Sequence, residues 1–416
     1  MANKPNIRFE GVTDDWEQRK LGELCERVTR KNKNGESDLP LTIASQYGLI
    51  DQRDFFNKVV AAKDMSNYYL LKKGEFAYNK SYSNGFDYGS IKRLNAYEQG
   101  CLSTLYICFG ITSDDIDSDY LECFFDTLKW YSDITMICAE GARNHGLLNV
   151  DTKAFFDEVT IEMPSSKEEQ RKISAYLNNL DNLITLHQRK CDETKELKKY
   201  MLQKMFPKNG EKVPEIRFAG FNDDWEQRKV SEVAEIVAGG TPSTKISNYW
   251  EPKEVPWLSS GEVHKKYITF TDNMISQEGM NNSSAKMIKE NSVLIALAGQ
   301  GKTRGTVAIN RIPLTTNQSI AAMTFNDDIV PEFIFCNLEN RYDEIRKMSS
   351  GDGARGGLNK QLVGDIEIPY TSYEEQKKIG TYFEQLDNLI TLHQRKCDET
   401  KELKTYMLQN MFPTKG

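Results

Sequence analysis

The stretch LDNLITLHQRKCDETKELK, residues 180–198, returns without a change as residues 386–404. A second match stands upstream of each copy: DDWEQRK fills 14–20 and again 223–229. Both copies are led by P-x-I-R-F (Pro5 to Phe9, Pro214 to Phe218) and followed by Met-Phe-Pro (205–207, 411–413). The chain is therefore a tandem repeat, Pro5 to Pro207 and Pro214 to Pro413, with matching ends and almost unrelated middles. Matching ends imply that both repeats offer the same surface to the same kind of partner. Unlike middles imply that each repeat reads something different.

Each shared stretch reads as the centre of one long helix. Ser166-x-x-Glu169 and Ser372-x-x-Glu375 fit a capping box, in which serine and glutamate satisfy the first free amides. Pro164 and Pro369 precede these caps, and Pro207 and Pro413 stand where the pattern stops. Apolar or small residues recur at alternating spacings of four and three: Ile173, Leu177, Leu180, Ile184, His187, Cys191, Thr194, then Met201 and Met205. The second copy gives Ile379, Phe383, Leu386, Ile390, His393, Cys397, Thr400, Met407 and Met411. That 3.5-residue period is a coiled-coil seam, and about 40 residues at ~1.5 Å each make a rod of roughly 60 Å. The simplest packing joins the two helices to each other, antiparallel, with the repeats related by a pseudo-twofold axis. His187 and His393 then sit in or beside the seam as packed, hydrogen-bonded residues.

Between these helices the middles read as mixed α and β. Segments 292–298 and 365–369 read as strands and Val330 to Met348 as a helix in the second. In the first, Asp119 to Ile137 reads as a helix and Glu158 to Pro164 as the closing strand. Both middles set a glycine-rich, arginine-containing segment between that helix and that strand: GARNHGLLN (141–149) and GDGARGGLN (351–359). The expected fold class is α+β: two mixed α/β domains separated by two long antiparallel coiled-coil helices with pseudo-twofold symmetry. The expected boundaries are 1–166, 167–207, 208–371 and 372–416.

Composition narrows the function. At 416 residues with 39% hydrophobic and 28% charged content, the chain reads as a soluble globular protein of two or more domains. It has no long apolar run and its polar start lacks a signal-peptide core, so the expected location is cytoplasmic, without membrane contact. Eight cysteines without a C-x-x-C pair and four histidines without zinc-ligand spacing argue for buried free thiols and against a metal site. Net charge is −7, yet Lys286 to Arg311 holds five basic residues against Glu290 alone, so an acidic protein can still carry a basic face.

Catalytic patterns are missing from the sequence. The loop after 292–298, Ala298-Gly-Gln-Gly-Lys-Thr-Arg-Gly305, resembles a phosphate-cradling G-x-x-x-x-G-K-[ST] loop. Its first required glycine, however, falls on Ala296 within the strand, so the loop is too short to wrap a triphosphate. There is no Asn/Asp-Pro-Pro-Tyr/Phe segment, no glycine-rich S-adenosylmethionine loop, no carboxylate–lysine nuclease cluster, no H-E-x-x-H and no G-x-S-x-G. A binding subunit fits better than an enzyme. The alternatives are a coiled-coil scaffold with two protein-binding heads and a nucleotide-dependent enzyme.

The order of variable middle, long helix, second middle and matching helix resembles the specificity subunit of a type I restriction–modification system. So do GGTPSTKISNYW (239–250), VPWLSSGEV (255–263), TTNQSIAAM (315–323) and the Glu-Glu-Gln-Arg/Lys-Lys-Ile helix starts (168–173, 374–379). Residues 20–160 lack the GGTP and PW segments, which implies a differently built reading surface there. The resemblance implies a non-catalytic subunit whose two target-recognition domains read the halves of an asymmetric, bipartite site in double-stranded DNA. It also implies two modification subunits, which bind S-adenosylmethionine and methylate adenine, and motor restriction subunits that use ATP and Mg; no cofactor is expected on this chain. The helices would serve as ruler and docking surface.

Exposed polar loops are the candidates for base contact. In the first middle they are Lys80, Tyr82, Asn84, Arg143, Asn144 and His145. In the second they are Thr241, Ser243, Lys245, Ser259, Ser260, Gln300, Lys302, Arg304, Arg355 and Lys360. Arginine can pair bidentately with guanine, and asparagine or glutamine with adenine, in the major groove; others contact phosphate or shape the loop. Trp250 and Trp257 read as core.

Overall fold

The computed structural model describes residues 4–12, 14–44, 48–56, 61–80, 88–144, 147–208, 210–299, 302–348 and 357–413, with backbone alone for 139–144 and 147. It divides into two compact units, Met1–His187 with Arg395–Gly416, and Gln188–Gln394. The long helices run Lys167–Lys204 and Tyr373–Asn410, 38 residues each. Each unit thus holds the first half of one long helix and the second half of the other.

Within each unit the two half-helices run antiparallel. In the first, Lys404 Nζ lies 2.8 Å from Asp181, and the Cys397 thiol donates to the Ile184 carbonyl at 3.8 Å. As the index rises on one helix it falls on the other. The second unit repeats the pattern with the partners exchanged: Lys198 meets Asp387 at 2.6 Å, and the Cys191 thiol donates to the Ile390 carbonyl at 3.7 Å. Leu177, Leu180, Cys191, Phe383, Leu386 and Cys397 are buried as the 3.5-residue period requires.

Lys198 and Lys404 occupy the seam position that the apolar spacing skips, seven residues after Cys191 and Cys397. Each joins the helix pair to its unit's domain. Lys198 also donates to Glu339 at 2.6 Å, and Lys404 to Asp126 at 3.1 Å. Burial alone would lower both lysine pKa values, but Glu339 and Asp387 in one case, and Asp126 and Asp181 in the other, hold them above the ordinary range.

The helix starts explain the shared Glu-Glu-Gln. The expected capping role of the third-position glutamate is replaced by a link to the repeat's leading segment. Glu169 accepts from Arg8 at 2.7 and 2.9 Å; Glu375 accepts from Arg217 at 2.6 and 2.8 Å and from the Trp225 indole at 3.1 Å. The next residue, a buried glutamine, clamps the turn before a domain helix. Gln170 Oε1 accepts from the Asp117 amide at 2.7 Å, and Gln376 Oε1 from the Val330 amide at 2.9 Å. The Met-Phe-Pro ends are core anchors, since Phe412 packs edge-on against Trp16 at 6.1 Å and Phe206 against Trp225 at 6.2 Å.

The two middles each hold a sheet of the same strand order despite their unlike sequences. In the first unit the strand order is Cys25–Arg27, Ile107–Ile111, Phe76–Asn79, Ser90–Arg93. In the second it is Ala234–Ala238, Ile320–Phe325, Val293–Ala296, Val307–Asn310, with Tyr267–Ile268 added at the edge. The central strand Val293–Ala296 is buried throughout, which is why its sequence is apolar without alternation. Each unit also has a two-stranded ribbon: Trp16–Lys20 with Thr160–Pro164, and Glu226–Lys229 with Glu367–Tyr370.

Two helices expected from the sequence are each broken. The 119–137 segment forms Ser118–Phe124 and Leu128–Ile137, because Thr127 donates to the Phe124 carbonyl at 2.7 Å and accepts the Trp130 amide at 3.3 Å. The 330–348 segment forms Pro331–Asn340 and Tyr342–Lys347, with Arg341 between them held by Glu344 at 2.6 and 2.9 Å. All eight cysteines are free, seven of them buried and Cys138 half-buried. No helix among the described residues is long and apolar enough to cross a membrane.

Candidate nucleic-acid interface

In the second unit the loops quoted above leave one end of the sheet. The pairings Ala238 with Ala321 and Ala296 with Ile320 bring together the ends of two strands and the start of a third. From that end emerge 239–246, 297–299 with 302–306, and 317–319. Two further segments join them: the Leu358 amide donates to the Leu297 carbonyl at 2.9 Å, and the Asn317 amide to the Leu258 carbonyl at 3.0 Å. The expected site residues Thr241, Ser243, Lys245, Ser259, Ser260, Lys302, Arg304 and Lys360 all lie on or directly after these segments. Gln300 and Arg355 fall outside the described residues.

Backbone crowding accounts for the glycine pair of GGTP. A Cβ on Gly239 would stand 2.3 Å from the Thr316 carbonyl oxygen, and one on Gly240 2.4 Å from the Ser284 carbonyl carbon. Two glycines let this loop cross both neighbours. The Trp257 indole donates to the Gly240 carbonyl at 2.9 Å and packs edge-on against Trp250, so GGTP, PW and TTNQS form one hub. Trp257 is buried and Trp250 half-buried.

On this hub the polar side chains take different stations. Thr241 is exposed and donates to Gln318 at 2.5 Å. Ser243, Lys245, Lys302 and Lys360 are exposed. Ser259 is half-buried and donates to Glu262 at 3.0 Å in a capping box. Arg304 is half-buried. The Tyr342 hydroxyl braces the loop by donating to the Lys302 carbonyl at 2.8 Å, and Arg346 donates to that hydroxyl at 3.0 Å. Gln318 and Arg346 were not among the sequence candidates. Gln318 could have been taken from the quoted TTNQS stretch, whereas only the fold brings Arg346 to the loop.

The first unit repeats the platform. Lys80 follows Phe76–Asn79 and Tyr88-Gly89 precede Ser90–Arg93, as 297–299 follow and 302–306 precede the counterpart strands. The Leu148 amide donates to the Lys80 carbonyl at 2.9 Å, the counterpart of Leu358 and Leu297. The shared Leu-Asn of the glycine-rich segments thus lies at the same place in both sheets. A hairpin pairs Arg143 with Leu148 and Asn144 with Leu147 beside Lys80. Burial, and then the charge of Arg27, lowers the Lys80 pKa. Tyr82, Asn84 and His145 lie outside the described residues, as do the side chains of Arg143 and Asn144. The sheet beneath the reading surface expected to be built differently in 20–160 has the same strand order as the second unit's, although GGTP and PW are missing.

Comparison with known proteins agrees with this duplication. The family described as "Type I restriction modification DNA specificity domain" matches residues 13–196 and again 222–402. The type I restriction enzyme MjaIX specificity subunit of Methanocaldococcus jannaschii is 28% identical over 193 residues, 45% of this chain and 44% of that protein. The chain spans less than half the length of the first relatives it matches. The MjaVIII specificity subunit of the same organism is 23% identical over 340 residues, 76% of this chain and 75% of its own. In fold, the crystal structure of the type I restriction–modification S subunit from M. genitalium superposes with a TM-score of 0.63 at 14% identity, covering 99% of this chain and 100% of that one. Two family matches on two like-built sheets place this chain in the family of type I restriction–modification DNA specificity subunits.

Proposed function

We propose that the chain is the DNA-reading, non-catalytic subunit of a type I restriction–modification complex, in which each unit reads one half of an asymmetric two-part site. The observation that carries the reading is one strand order and one Leu-to-strand-end hydrogen bond occurring twice, with unrelated sequences around them. Lys80, Tyr82, Asn84, Arg143, Asn144 and His145 serve one half-site. Thr241, Ser243, Lys245, Ser259, Ser260, Gln300, Lys302, Arg304, Arg355 and Lys360 serve the other, with Gln318 beside them. Lysines there fix the duplex through phosphates, while arginines and amides address base edges.

Two modification subunits dock on the half-helix pairs. Leu183 and Leu403 in the first unit, and Leu389 and Leu197 in the second, are 42 to 45% exposed, and Tyr406 and Tyr200 stand one turn on. Leu183 falls between Asp181 and Ile184, and Leu403 between Cys397 and Lys404, so both stand at one level of their pair. Apolar side chains repeated on the open face of a packed pair mark a protein contact. Restriction subunits complete the assembly in the cytoplasm, and S-adenosylmethionine, ATP and Mg belong to the partners.

The test is reconstitution. Chain plus modification subunits should retard duplex DNA, less so as salt rises, because phosphate contacts release counterions. The chain alone should transfer no methyl group and hydrolyse no ATP. Methyl transfer by the chain alone would overturn the reading; a reconstituted complex without DNA affinity would favour the scaffold with two protein-binding heads.

A further inference from the structure

We infer that the turn Ser103 to Tyr106 of the first unit reads a base, taking the methyl group of a thymine through Leu105 and Thr104. This rests on the reading above, that each unit addresses one half-site. None of these residues stood among the sequence candidates.

Its counterpart in the second unit locates the turn. There 317–319 belong to the polar hub and stand just ahead of Ile320–Phe325. In the first unit 103–106 stand just ahead of Ile107–Ile111, the strand at the same place in the sheet. Both turns close with the same bonds. The Tyr106 amide donates to the Ser103 carbonyl at 3.2 Å, and the Ile320 amide to the Asn317 carbonyl at 3.2 Å. The Leu105 amide donates to Ser103 Oγ at 3.4 Å, and the Ser319 amide to Asn317 Oδ1 at 3.1 Å. Two residues ahead of each turn, Cys101 runs parallel to Pro40 and Thr315 parallel to Trp257. Tyr106 packs on the core around Leu41 and Leu102, as Ile320 packs in the core around Leu258 and Leu294. Thr104 therefore corresponds to Gln318 and Leu105 to Ser319, although CLSTLY (101–106) and TTNQSI (315–320) match at no position.

Place and chemistry together select what this turn can read. Tyr78 pairs with Ile107, and Asn79 with Ser90, so the turn stands at the sheet end that leads into Lys80. Thr104 is exposed, and Leu105 is 56% exposed. Single exposed leucines are common on protein surfaces; this one is set apart by its station on the turn that matches the hub. A leucine side chain has no donor or acceptor, so it serves neither phosphate nor the polar base edges. The thymine methyl is the apolar group that the major groove presents, and a leucine beside a threonine methyl suits it. At the same place in the second unit the bonded pair Thr241 and Gln318 offers polar atoms instead, so one turn serves unlike half-sites.

The experiment uses the full chain with its modification subunits and a duplex carrying its methylation motif. The first half-site is the half that survives exchange of the second middle. Each thymine of that half, on either strand, is replaced in turn by deoxyuridine, which keeps the hydrogen-bonding edge and lacks the methyl. One replacement should weaken binding roughly three- to tenfold, as loss of one buried methyl group warrants. Leu105→Ala should weaken binding to the thymine duplex by a similar factor and bind the thymine and deoxyuridine duplexes equally. Its methylation should lose selectivity at that one base pair and keep the second half-site unchanged. The deoxyuridine series requires no variant, so it stands even if Leu105→Ala melts below the parent. A first half-site without an A·T pair, a series in which no replacement weakens binding, or a deoxyuridine effect kept in full by Leu105→Ala would overturn the inference and leave the two-part reading standing. A parent complex without DNA affinity would overturn both.

Discussion

Replacing Lys198 by methionine should cost the protein several times more than replacing Lys404, although the two lysines sit in identical 19-residue contexts. Lys198 and Asp387 are 6% and 7% exposed in their side chains, and Glu339 is 22% exposed. Removing the lysine leaves a buried carboxylate without its main partner, a loss of roughly 3–5 kcal/mol for such pairs. Lys266 still reaches Glu339, and lies 3.6 Å from Asp387, so the lower end applies, about 3 kcal/mol. In the first unit Asp181 is 47% exposed and Asp126 27%, and water takes up most of what Lys404 gives, leaving about 1 kcal/mol. For a unit of this size ~2–4 °C accompanies each kcal/mol. Calorimetry should therefore show a fall of roughly 6–12 °C for Lys198→Met and ~2–4 °C for Lys404→Met, with hydrogen exchange locating each loss in its own unit. Adding Asp387→Leu to Lys198→Met should restore most of the loss, since an apolar pair of similar size replaces a buried ion pair at little cost. Equal losses, or a larger one at Lys404, would refute the burial argument.

Acid should reveal the same cluster. Burial would raise the Glu339 pKa, but Lys198 and Lys266 hold it below the usual carboxylate value. A depressed carboxylate contributes stability present above its unfolded pKa of about 4.3 and lost as pH falls through the folded value. In Lys198→Met that acid-side loss should set in at higher pH than in the parent, as followed by melting temperature from pH 6 to pH 3. Gly240→Ala should destabilise by about 1–3 kcal/mol in urea titration, because its Cβ meets Ser284 backbone. Gly261→Ala, whose nearest neighbour would be 3.8 Å away, should come within about 0.5 kcal/mol of the parent. The Ile7 amide donates to the Asn410 carbonyl at 2.9 Å, as the Ile216 amide does to the Lys204 carbonyl across the internal junction. A circular permutant opened at 210–211 and joined from Pro413 to Pro5 by a second copy of KNGEKV should fold and bind DNA with the same partners.

How far the sequence alone reaches can be judged from particular residues. The helices and their seam were legible because a 3.5-residue period survives in single letters. The seam lysines were not, since Lys198 reads as solvated until Asp387 and Glu339 are seen around it. The break at Thr127 was hidden for a similar reason: a threonine that closes one helix and caps the next looks like any polar residue on a helical face. Within the candidate interface, loop membership was readable and the shared platform was not. Nothing in residues 20–160 resembles GGTP or PW, yet the hydrogen bond from Leu148 to Lys80 matches that from Leu358 to Leu297. Backbone pairing kept the platform while the side chains diverged.

The most direct measurement is methylation-sensitive sequencing of DNA from a host carrying this chain with its modification subunits, before and after the residues between Val230 and Ile366 are exchanged for those of another family member. The account predicts adenine methylation on both strands of a two-part motif with an unspecified spacer. The exchange should replace one half of that motif and leave the other half unchanged. A single continuous motif, or an exchange that alters both halves, would contradict it.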